Sequence, residues 1–452
     1  MKLIYIEVYM VIFRRTFENI NIKMFFALLF FGLLPTIYNT VRIYWLGQIP
    51  DTWAFSIAAQ MQWINLLYEI LQESFILPLF FFVGAVIFQK EKLINRLKTG
   101  MLFSFSIYLL LTIIILSAAR PLATAMATNN KVIDQTVTYV RLESIANIIN
   151  IMFRFILVSL ITMKKTKNIY IPLVLQLFLI IILDIFFVSN LSVSLNLGIN
   201  GVAFTNIIVS SILLIVGFIL LYVEKINIWK YSKLDFKWFK KFIPISALSG
   251  LETLVRNLFF MFMVIKMVNM VGSAGDFWVT NNFIWGWLLL PIIQLGELIK
   301  AEIGINKDNA IKKNTLGYFI IVTAIVLIWF ITIPGWDLFL KHVMGLSNHK
   351  IVLHLALISI AFYVTFAYNN VIDSIFYGLG KTNYMLFQSL FVNITFYGLM
   401  FILYKTNIWI PTLDTIALMF AGGTAIDSIL TYVMFCWVLR KRKINIFAIL
   451  KK

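Results

Sequence analysis

Five basic side chains of this 452-residue chain, Arg42, Arg154, Arg256, Lys266 and Lys300, lie within or near the ends of long apolar segments. A cation at the centre of a bilayer costs about 3 kcal/mol by insertion scales unless it is paired or hydrated, so such residues imply a wet, polar cavity between helices. Acids stand in the same segments: Glu69, Glu73, Asp184, Glu252, Glu297, Asp373 and Asp427. Glu252 and Arg256 are one helical turn apart, so they share a face and can pair. Glu297 and Lys300 are also spaced to pair and read as structural. Glu69 and Glu73 are like charges at one-turn spacing, which calls for hydration or a shared proton. Asp427 reads as an isolated polar contact in the last segment. A carboxylate near a cation, in a site whose hydration alternates, can take up and release a proton.

Other chemistries find no residues. His342, His349 and His354 cluster in one outer connection and the start of the next segment, without a second set of ligands at zinc spacing, so they read as a solvated loop. Cys436 is the single cysteine, which excludes a disulfide framework and a cysteine metal cluster. The chain has no Gly-x-x-x-x-Gly-Lys-Ser/Thr loop, so no built-in nucleotide motor is expected. No enzyme, metal site or cofactor is expected beyond a coupling ion, H+ or Na+.

The elements that must carry these residues are membrane helices. With 61% hydrophobic and 13% charged residues the chain is not water-soluble. Apolar runs fall at about 24–46, 55–87, 101–120, 138–163, 170–190, 199–223, 243–270, 279–303, 315–334, 352–378, 384–404 and 411–439. The run at 55–87 is too long for one straight span, so it should tilt or project into water. With both termini cytoplasmic, 27 lysines and arginines lie on the inner side and 6 on the outer. That excess faces anionic lipid, and the +18 net charge needs no nucleic acid partner. No removable signal peptide is expected.

The expected fold class is therefore an all-α polytopic membrane protein, with twelve transmembrane helices in two pseudo-symmetric six-helix lobes. Its parts are a lead-in at 1–23, an N-lobe at 24–223, a basic linker at 224–241, a C-lobe at 242–439 and a basic tail at 440–452. Two repeats cross the divide. Gly47-Gln-Ile-Pro-Asp51-Thr-Trp53 is matched by Gly272-Ser-Ala-Gly-Asp276-Phe-Trp278, and Lys165-Thr-Lys-Asn-Ile-Tyr170 by Lys381-Thr-Asn-Tyr384, at offsets of 225 and 216 residues. Six helices and six in the same orientation place a transport pathway at the lobe interface.

Pro35, Tyr38-Asn39 and Tyr44-Trp45-Leu46-Gly47 in the first helix, Leu183-Asp184 leading to Leu197-Gly198-Ile-Asn-Gly201, Pro244 with Glu252, and Tyr377-Gly378-Leu-Gly380-Lys-Thr382 resemble the multidrug and toxic compound extrusion (MATE) family of the MOP flippase and exporter superfamily. The resemblance implies a secondary active exporter of amphipathic small molecules, working by alternating access and coupled to proton or sodium antiport. It also implies a monomer in the cell membrane. Where that family places an acid on helix 1, this chain has Arg42, and an asparagine one turn before Asp184 is replaced by Ile180. A sodium site there has lost two of its oxygen ligands. Arg42 can instead pair with Asp184 bidentately, or bind an anionic substrate group directly. The resemblance makes Glu252, Asp184 and Asp373 the cation-coupling candidates, and Arg42, Arg154, Arg256 and Trp285 the cavity or substrate candidates. The alternative is a flippase for a lipid-linked oligosaccharide or cell-wall precursor, which unpaired arginines converging on one cavity would favour.

Overall fold

The computed structural model describes residues 16–446 apart from 50–52, 77, 85, 87, 164–169 and 229–233. Asp51, most of the 1–23 lead-in, the basic stretch before Tyr170, the centre of the 224–241 connection and the end of the tail lie outside the described residues. So does the side chain of Glu252.

Every regular element among the described residues is helical, as expected where lipid offers the backbone no partners. The helices are α1 Ile22–Gly47, α2 Ala54–Ala59, α3 Met61–Leu71, α4 Leu79–Gly84, α5 Lys90–Ala125, α6 Ile133–Thr162, α7 Tyr170–Phe187 and α8 Ile199–Val223. They continue as α9 Phe239–Phe260, α10 Lys266–Met270, α11 Ala274–Phe283, α12 Leu290–Leu338, α13 His349–Gly378, α14 Thr382–Val392, α15 Gly398–Lys405 and α16 Leu413–Lys441. Single π-helical turns at Gln72–Ile76, Met261–Ile265, Ile284–Leu288, Phe339–Val343 and Asn393–Tyr397 interrupt the series.

Among the described residues ten helical stretches are long and apolar enough to cross a membrane, against twelve apolar runs in the sequence. The chain is a multi-pass membrane protein, and the two counts differ for local reasons. The overlong 55–87 run is not one straight helix: it is broken into α2, α3, a π turn and α4. The first break is at Gln60, whose amide is buried in a polar knot. Its Nε2 donates to Ser56 O at 3.1 Å and to Asn269 Oδ1 at 2.8 Å, while its Oε1 accepts from Trp63, Thr128 and Asn269. A fully satisfied buried amide fixes this geometry. The second half of the 279–303 run and the whole of 315–334 fall within one stretch, Leu290–Val343. A straight helix of that length would be about 80 Å long, against about 30 Å of hydrocarbon. Instead the backbone leaves helical geometry at Lys307, with φ 46° and ψ −127°.

Contacts divide the chain into two compact units. The first, called here the Arg42 unit, is 37–278 with 344–347; the second, the Asp373 unit, is 1–36, 279–343 and 348–452. In the Arg42 unit the core is built on large side chains with no exposure, Trp63, Tyr108, Phe155 and Phe242 among them. Helix α9 belongs to it, packing against α3 and the Gln72–Ile76 turn, where Gly250 lies directly on Ser74. In the Asp373 unit, Thr36 Oγ1 donates to Gly286 O at 3.0 Å just after Pro35, and Gly32 lies under the Gln294 side chain. The start of α1 is pinned by Glu302, which accepts from the Asn21 backbone N–H at 2.7 Å, from Asn314 Nδ2 at 2.8 Å and from the Tyr318 hydroxyl.

Candidate functional site

Arg42 sits seven residues past Pro35 on α1, and α7 and α8 bring its partners to it. The pair α7–α8 is joined by a tight connection: Leu195 N–H bonds Phe186 O at 2.8 Å and Leu197 N–H bonds Phe187 O at 2.9 Å. Gly198 then turns the chain with φ 61° and ψ −142°, a region open to glycine. Gly201 follows against the Phe187 carbonyl, where a Cβ would stand 2.6 Å from the oxygen. This close approach sets Asp184 and Asn206 on facing turns.

The guanidinium meets Asp184 through two parallel bonds, Nε to Oδ2 at 2.8 Å and Nη2 to Oδ1 at 3.3 Å. Asp184 is 0% exposed. A planar guanidinium is the one basic side chain suited to a carboxylate in this way. Nη2 also donates to Asn206 Oδ1 at 3.0 Å, and Asn206 Nδ2 donates in turn to Glu143 Oε1 on α6 at 2.8 Å. Around this relay lies a cavity of about 180 Å³, walled by Tyr38, Asn39, Asn147, Gln176 and Ser210 as well as Arg42 and Glu143. Ile180, where an oxygen ligand was expected from the resemblance, is part of the same wall.

The other intramembrane cations of this unit are also engaged. Arg256 bonds Glu69 at 3.2 Å from Nη2 to Oε1, and the neighbouring Asn257 donates to the other oxygen of that carboxylate at 3.2 Å. Glu69 stands on α3, while the expected Glu252–Arg256 pairing lies outside the described residues. Arg154 donates to the Gln72 side-chain oxygen in the π turn. Lys266 lies over the Phe262 ring at 6.0 Å.

In the Asp373 unit the acid expected to act alone has company. Asn369 Nδ2 donates to Asp373 Oδ2 at 2.9 Å and lies 3.4 Å from Asp427 Oδ2, so one amide bridges both carboxylates. Gln388 Nε2 donates to Asp427 at 2.6 Å, and Thr431 donates to Asp373 at 3.5 Å. Asp427 is therefore part of a polar cluster, a correction to its reading as an isolated residue. Trp285, in the Ile284–Leu288 π turn, packs edge-on to Tyr363 and Phe366 of α13 at 6.3 and 5.2 Å. Lys300 pairs with Glu297 at 2.7 Å. Beyond these, His349 and His354 bond Asp337 and Asp414.

No protein-family model and no curated protein matches the chain. Solved structures do. An inward-facing multidrug resistance MATE family transporter of the MOP superfamily superposes with a TM-score of 0.66 at 17% identity, covering 92% of this chain and 96% of the other. A MOP superfamily transporter from Pyrococcus furiosus, described as having a binding pocket of reversed polarity, gives 0.67 at 17%, covering 97% and 96%. The fold is that of the MATE transporters. A MATE structure in a bent conformation gives 0.63 at 16% identity, over 96% of this chain and 97% of that one. Structures with the MATE fold are known both inward-facing and outward-facing.

Sequence reasoning reached Arg42, Asp184 and Asp373 but passed over Glu143, Asn206 and Gln388. Glu143 carried a signal, being a carboxylate inside the 138–163 apolar run. Asn206 and Gln388 carried none, since a single amide in a membrane helix is common and only its neighbours give it meaning.

Proposed function

We propose that this protein is a secondary active exporter of amphipathic small molecules, cycling by alternating access in the cell membrane with both termini cytoplasmic. The observation that carries the reading is the pairing of its intramembrane cations. Arg42 is held by Asp184, Arg256 by Glu69 and Lys300 by Glu297. A pyrophosphate headgroup would call for arginines free to converge on it. Here Arg42 and Arg256 serve the protein's own acids and Arg154 is bonded to the Gln72 amide, and a weakly polar substrate fits the aromatic face of Trp285, Tyr363 and Phe366 better than an anionic lipid does.

The coupling ion, H+ or Na+, is assigned first to Asp373 with its neighbour Asp427, whose two carboxylates share the Asn369 amide, and second to Glu252. Proteoliposomes loaded with a cationic dye test this, with proton and sodium gradients imposed separately. Gradient-driven efflux is expected in the wild type and a loss of tenfold or more in Asp373→Asn. A wild-type rate in both Asp373→Asn and Glu252→Gln removes both residues from coupling. No dye movement under either gradient, together with transbilayer movement of a fluorescent pyrophosphate lipid, replaces the exporter with the flippase.

A further inference from the structure

The Arg42 cavity holds one more acid than base. Arg42 is committed to Asp184 by two bonds, and that pair is neutral. Glu143, 5% exposed, accepts from the neutral Asn206 Nδ2 at 2.8 Å and lies near Tyr139, one turn back on its own helix, while the Arg42 charge that acts on it is already bonded to Asp184. The groups that face it are known from each packed element. Helix α1 brings Arg42 and Tyr38, α7 brings Asp184, and α8 brings Asn206. Helices α3 and α5, also packed on α6, bring Tyr68 and Tyr108, which stack on each other at 5.9 Å and sit with Glu73 and Arg154. With Asp184 and Glu143 both ionised, Arg42 balances only one of them.

We propose that Glu143 is the proton-binding residue of the Arg42 unit, taking up and releasing a proton through the polar cavity it lines. A buried carboxylate without a counter-ion is retained only where something titrates or binds. The partners point to a proton. A metal ion needs several hard oxygens on one centre, but Asn206 turns its Nδ2 hydrogens, not its oxygen, to Glu143. The guanidinium one carboxamide away also repels a second fixed cation. A proton adds no point charge next to Arg42, since it turns the carboxylate neutral. The Arg42–Asp184 pair then acts as a permanent internal salt, and Glu143 as the mobile site beside it. This deepens the exporter reading by naming a second coupling residue, and it rests on that reading for its use in transport.

Infrared difference spectroscopy of the full-length protein in detergent tests it without a substrate, by following the carbonyl stretch of protonated carboxyls from acid to alkaline pH. The expected result is a band that vanishes on deprotonation in the wild type and is missing from Glu143→Gln. It moves in frequency in Glu143→Asp and is unaffected by sodium at constant pH. A Glu143→Gln spectrum identical to wild type overturns the proposal, and so does a band lost on adding sodium. Should Glu143→Gln not fold, Glu143→Asp decides: an unmoved band overturns the assignment. Failed dye efflux with this band intact counts against the exporter reading alone.

Discussion

A guanidinium within a membrane helix has to find a fixed partner, and Arg42 has found a carboxylate with no exposure of its own. The desolvation of both ions is offset by two parallel bonds and by the Asn206 bridge, so the pair is stable while removal of either member is costly. Arg42→Leu leaves Asp184 charged and alone, and thermal unfolding in detergent should show a loss of about 3–5 kcal/mol. Asp184→Leu leaves the guanidinium stranded and should cost a similar amount. The double variant Arg42→Leu/Asp184→Leu removes both charges, and its loss should be much smaller than the sum of the singles. Additive losses would mean that the two side chains do not act as a pair. The same reasoning explains why this bond was readable in advance: an intramembrane arginine and an intramembrane aspartate have few alternatives. Glu143 is different, because its hydrogen bond is to the Asn206 amide rather than to an opposite charge.

At the scale of the element, the position of Asp184 against Asn206 depends on how closely α8 can approach the end of α7. Gly201 permits that approach, since any Cβ there meets the Phe187 carbonyl at 2.6 Å, and that carbonyl is already fixed by the Leu197 N–H. Backbone cannot rotate away as a side chain can. Gly201→Ala is therefore expected to push α8 outward, at a cost of about 1–3 kcal/mol in thermal unfolding, and to weaken the Arg42–Asn206 contact. Gly201→Ala unfolding at the wild-type temperature would show that the helices have room. The glycines were legible as a motif, Gly198 and Gly201 standing three apart between apolar runs, but the reason for them was not, because a carbonyl from another helix leaves no trace in sequence. Helix identities were legible from the apolar runs throughout. Their breaks were not, since Gln60 interrupts its helix through Asn269 and Thr128, residues far away in the chain. The break at Lys307 was half visible: the basic stretch 304–314 separates two apolar runs, but nothing in it marks the residue at which the backbone leaves helical geometry.

For the whole molecule the governing quantity is where the basic residues lie along the chain. Lysines and arginines number 27 on one side of the expected topology and 6 on the other, and such a bias orients membrane proteins by resisting transfer of the charged connections across the bilayer. The structure offers reporters on both sides. Lys131 is exposed in the turn between α5 and α6, and Lys312 is exposed shortly after the Lys307 break. Cys436 is the only cysteine and is exposed on α16, so Cys436→Ser gives a background free of thiols. On it, Lys131→Cys in intact cells should react with a membrane-impermeant maleimide, and Lys312→Cys should react only after permeabilisation. The substitutions remove one cation from each side and leave the bias intact, so they report the orientation without setting it. The reverse labelling pattern would place the basic connections outside. It would leave the anionic inner surface without its partner and turn the direction of transport around, because the same paired arginines and the same acids would then face opposite compartments.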